Sequence, residues 1–97
     1  MAMTEAQFNI TLQALRFVFP LVSPADVSLS RFFRESPKLG AADRHLVAET
    51  TFALLRRYRF LETLCGETIN PRRLLLACLV RTQGYGLREV QPFTRGE

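Results

Sequence analysis

The chain has no tryptophan, one lysine, one histidine and two cysteines among its 97 residues. Each scarcity closes a line of function. One His and two distant Cys do not make a zinc site. Cys65 and Cys78 fall at apolar-stripe positions and read as buried free thiols of a reducing cytosol. His45 has Glu49 one turn on and no nucleophile at helical spacing, so it reads as half of a surface pair. The nine acids are scattered, which leaves no carboxylate pair for acid–base work. The glycine-rich piece Gly84-Tyr85-Gly86 follows a helix pattern rather than a strand and is not a phosphate loop. The longest apolar run, Leu74 to Val80, is far short of the ~20 residues of a membrane span. The amino terminus shows no basic region leading into an apolar run, so no signal peptide is expected. These absences argue against independent catalysis, against a metal or other cofactor in this chain, and for a cytoplasmic location without a membrane partner.

What is present is a core and a charge. The length makes a single domain over residues 1–97, able to bury a modest core without disulfides or metals. Eight phenylalanines supply most of its large side chains, and 47% of all residues are hydrophobic. The net charge is +4 and is almost all arginine, twelve Arg to one Lys. Arginine suits bidentate phosphate contacts and stacking on bases, a balance that fits a nucleic-acid partner.

The segmentation is helical throughout; no alternation of apolar and polar residues runs long enough for a strand. Met1 to Thr4 reads as a loose start, with Thr4 able to cap a first helix carrying Phe8, Leu12, Leu15 and Phe19 and ending before Pro20. A connector runs from Pro20 to Pro24. Ser23-Pro24 reads as an N-cap followed by proline at N1. The second helix carries Val27, Leu29, Phe32 and Phe33 and stops near Glu35 to Ser36, ahead of Pro37. Gly40 to Gly66 is the longest stretch without proline or internal glycine, and reads as one central helix, with room for a kink. Val47, Thr51, Leu54, Tyr58, Leu61 and Cys65 form one stripe of it, and Leu46, Ala53, Phe60 and Leu64 an adjoining one. Two stripes predict cover over about half the circumference. Asn70-Pro71 repeats the cap-then-proline signal and opens a further helix to about Gln83, stopped by Gly84 and Gly86. Leu87 to Val90 reads as one more turn, and Pro92 onwards as the start of a linker or tail. The class predicted is all-α, with four to five helices.

The arginines gather at three places. Arg31 and Arg34 lie on the second helix, Arg56, Arg57 and Arg59 towards the end of the central one, and Arg72 and Arg73 at the start of the next. The second group could simply complement the negative end of a helix dipole. Arg72 and Arg73 sit at an amino terminus, where positive charge is disfavoured. That placement suits a docked anion or a carboxylate from elsewhere in the fold. Phe52, on the polar face of the central helix, suits either base stacking or a contact with another helix. All seven arginines are candidate RNA contacts.

An ordered set of segments then resembles a known family. Leu29-Ser30-Arg31-Phe32-Phe33-Arg34-Glu35, Leu39-Gly40, Asp43-Arg44, Val47-Ala48-Glu49-Thr50, Leu54-Leu55-Arg56-Arg57, Leu61-Glu62, Pro71-Arg72-Arg73-Leu74, Gln83-Gly84 and Leu87-Arg88-Glu89 look like the amino-terminal domain of the bacterial ribosomal RNA cytosine-5 methyltransferases of the RsmB/Sun family. The resemblance covers roughly Leu29 to Phe93. It implies a NusB-like helical bundle that binds ribosomal RNA and packs on a catalytic methyltransferase domain in cis. S-adenosylmethionine and the catalytic cysteines belong to that other domain, so neither Cys65 nor Cys78 takes a catalytic role. The related alternatives are a free-standing antitermination-type factor and a protein-interaction module that makes no RNA contact.

Overall fold

A computed structural model of the chain describes residues 3–20, 23–67 and 70–94. The described residues form six α-helices, α1 Glu5–Val18, α2 Ala25–Arg34, α3 Ala41–Arg56, α4 Tyr58–Cys65, α5 Pro71–Arg81 and α6 Leu87–Val90, then a 3-10 helix Gln91–Thr94, with no strand among them. The all-α class holds, and the turn expected at Leu87 to Val90 is α6; the count exceeds the four to five helices expected because the central stretch divides.

Local chemistry explains most boundaries. The Gln7 backbone N–H donates to the Thr4 hydroxyl at 3.1 Å, and the Gln7 side chain accepts the Thr4 N–H at 2.9 Å. This capping box satisfies two of the donors that a helix start leaves open. Gln7 then donates its amide N–H to Asp43 at 3.0 Å, tying the start of α1 to the start of α3. At α5 the Asn70 side chain accepts from the Arg73 N–H at 2.9 Å, with proline in the first turn. Gly66 ends α4 at φ 64°, ψ −133°, a region closed to side chains with a Cβ. Ser23 does not cap α2: the cap position is Pro24, and no side chain bonds to the helix start there.

The central stretch is two helices rather than one. At Arg57 (φ −113°, ψ 21°) the N–H donates to the Leu54 carbonyl at 3.2 Å, three residues back instead of four. That tightens the last turn of α3. The Arg57 carbonyl then accepts from the Leu61 N–H at 3.0 Å and starts α4. The break lets α3 pack on α1 while α4 packs on α5.

The helix that organises the fold is α1, not the central stretch. It touches α2, α3, α5 and the 3-10 helix, and it buries residues into two cores. Phe8, Leu12 and Leu15 join Leu54, Leu61, Leu75 and Leu79 in one core. Ala14 and Val18 join Leu29, Phe32 and Val47 in the other. Phe52 is half-buried against this second core, so its helix-contact reading holds.

Both ends of the described chain also depart from expectation. Met3 is buried, and its N–H donates to the Tyr85 hydroxyl at 2.9 Å, so the start is not loose there. Phe93 is only 4% exposed and stacks on Phe8, with ring centroids 4.5 Å apart. The 3-10 turn is therefore not a tail: it carries Phe93 into the core, with Pro92 and Thr94 exposed on either side. Met1 and Ala2 of the expected start, Leu21 and Val22 of the first connector, and Arg95 to Glu97 of the expected tail lie outside the described residues.

Candidate functional site

The turn between α3 and α4 gathers three of the seven candidate arginines. Arg56, Arg57 and Arg59 are exposed and, with Leu55, Tyr58 and Phe60, line a shallow hollow of about 540 Å³. No ion pair among the described residues engages any of the three; His45 and Glu49, both well exposed, pair at 2.8 Å elsewhere on α3.

The helix break changes the electrostatic meaning of this group. Arg56 closes α3, where the dipole favours a cation. Arg57 is the cap residue of α4, and Arg59 lies in its first turn, which holds no acid. Positive charge is disfavoured at that end. Dipole complementarity therefore accounts for Arg56, cuts both ways at Arg57, which closes α3 as well as opening α4, and does not account for Arg59. The group is a local cluster of positive charge with no ion pair to a carboxylate among the described residues.

Phe60 completes the corner. It belongs to the second stripe expected to be covered, yet it is 41% exposed, and Leu64 one turn on is 43% exposed. The Arg57 guanidinium lies 5.6 Å from the centroid of the Phe60 ring, within cation–π range. Tyr58, one residue past the break, also packs on Phe19, with ring centroids 5.7 Å apart. Phe60 was legible as a site residue only once the helix is cut at Arg57: a continuous helix assigns it to the bundle.

The remaining arginines are placed differently. Arg31 and Arg34 are exposed on α2 and make no hydrogen bond or ion pair among the described residues. Arg72 is built into the fold. Its Nη1 donates to the Phe93 carbonyl at 2.7 Å and its guanidinium lies 5.5 Å from the centroid of the Phe8 ring. Its contacts there are to a backbone carbonyl and an aromatic ring of the core. Arg73 is exposed beside Cys65. Burial pushes the Cys65 thiol up from its ordinary pKa, and the Arg73 charge offsets part of that. Burial likewise pushes up Cys78, a core residue. Both thiols are free, and their raised pKa values oppose thiolate chemistry.

Among the described residues no cluster of His, Cys, Asp or Glu could hold a metal ion, and no helix is long and apolar enough to cross a membrane. No family model matches the chain, and no curated protein or solved structure matches it.

Proposed function

We propose that this chain is an RNA-binding accessory module of NusB-like type, which positions ribosomal RNA for a cytosine-5 methyltransferase domain in cis. The observation that carries the reading is the α3–α4 corner: Arg56, Arg57 and Arg59 exposed around one hollow without an ion pair among the described residues. A polyanion would supply the missing counter-charge and would release its own condensed cations on binding. The ordered likeness of the segments from Leu29 to Phe93 to the methyltransferase family supplies the ribosomal RNA and the catalytic partner. S-adenosylmethionine belongs to that partner domain, and no residue of this chain is assigned to hold it. Arg31 and Arg34 extend the basic surface on α2. Arg73 stays a candidate contact, while Arg72 has a structural task that comes first.

A titration of labelled RNA against salt tests this. Three phosphate contacts on a single strand predict a slope of log affinity against log salt near about −2, from about −0.7 per contact. The double substitution Arg56→Gln, Arg59→Gln is expected to weaken binding and flatten the slope by about 1.4, with helicity unchanged because both side chains are exposed. Absence of binding at low salt would remove the reading. The exposed Leu64 and Leu87, at 43% and 77%, favour a second reading for that outcome: a module that docks on a protein partner without touching RNA.

A further inference from the structure

We infer that the α3–α4 corner takes an unpaired base of single-stranded RNA on the Phe60 ring, with Arg56 and Arg59 on the flanking phosphates. The inference rests on the RNA reading above and names the form of RNA that the site accepts. A basic patch alone would not distinguish strand from duplex, since both present phosphates. The ring makes the difference.

Phe60 precedes the fully buried Leu61 in α4, yet is itself 41% exposed. Three arginines line the same hollow, and the guanidinium of Arg57 lies over the ring itself. An A-form duplex keeps its base faces stacked inside and offers a protein phosphates, 2′-hydroxyls and base edges. Such a surface gives a phenyl ring no partner. An unpaired nucleotide offers a bare π-face and two flanking phosphates at once, which is the combination this corner can meet. Stacking is tolerant of base identity, so the site as built selects strandedness rather than sequence.

The test titrates the full chain with a labelled oligouridylate carrying one fluorescent adenine analogue, and with an RNA duplex of equal phosphate number. The single strand is expected to bind more tightly, and the analogue to be quenched by stacking as it binds. Phe60→Ala is expected to weaken single-strand binding by about 5-fold to about 150-fold, with duplex binding unchanged and Phe60→Tyr restoring the loss. The quench in the unsubstituted chain needs no variant, so the inference stays testable if Phe60→Ala loses helicity. Duplex binding as tight as single-strand binding, an unquenched analogue, or a folded Phe60→Ala that binds like the parent would each overturn the inference while leaving RNA binding intact. If neither RNA binds at low salt, the RNA reading itself falls and takes this inference with it.

Discussion

Arg72 shows how one side chain can look like a ligand contact in sequence and be a fastening in the fold. Two arginines at a helix start invite an anion, because the dipole there opposes them. The structure gives Arg72 another reason to be there: a charge-assisted hydrogen bond to the Phe93 carbonyl and the face of Phe8, the ring on which Phe93 stacks. Substituting Arg72→Met keeps an apolar stem but leaves that carbonyl without this donor. A loss of about 2 kcal/mol is expected, read as a lower urea midpoint at unchanged slope. Arg56→Gln, at an exposed site with no ion pair among the described residues, is expected to move the midpoint by less than about 0.5 kcal/mol. If the two variants unfolded alike, the division between fastening and surface arginines would be wrong.

At the scale of the helix, what the sequence shows is what is decided locally. The Thr4 cap, Asn70 with Pro71, and the glycine stops at Gly66 and Gly84 all act within a few residues, and each was readable. The break at Arg57 was not, because no proline or glycine marks it. It comes from the demand that α3 follow α1 while α4 follows α5, a choice made by partners far away in sequence. The same blindness hid half the candidate site: the arginines stood out by composition, whereas the exposure of Phe60 depends on where the helix turns. Local control itself can be checked at two glycines. Gly40 caps α3 with extended geometry (φ −76°, ψ 172°), has no side-chain cap, and leaves space around an added Cβ. Gly40→Ser adds a cap and stiffens the unfolded chain, for an expected gain of about 0.5–1 kcal/mol. At Gly66 a Cβ also meets nothing within 4 Å, so Gly66→Ala isolates backbone strain, with an expected loss of about 1–3 kcal/mol. Thermal melts of the two variants should therefore shift in opposite directions.

Across the whole molecule, the two cores share α1, and the carboxy-terminal segment closes one of them. Met3 meets Tyr85 and Phe8 meets Phe93, contacts between opposite ends of the chain that no pattern within a window of sequence can reveal. Pro92 reads locally as a stop and a tail; globally, the 3-10 turn that contains it delivers Phe93 to a position only 4% exposed. The energetic weight of that turn follows from size. A chain of 97 residues has a total stability of about 5–15 kcal/mol. Removing a buried phenylalanine costs about 3–5 kcal/mol. Ending the chain after Val90 also strips the Phe8 ring of its stacking partner and Arg72 of its carbonyl acceptor. The truncated chain is therefore expected to lie close to its unfolding midpoint at room temperature. Circular dichroism with urea would show reduced helicity before denaturant is added and a broad transition, with Phe93→Ala between it and the full chain. Full helicity and an unchanged midpoint after truncation would mean that α1 holds both cores without the closing ring pair. The α3–α4 corner, which draws only on α3 and α4, would then be supported independently of that end of the chain.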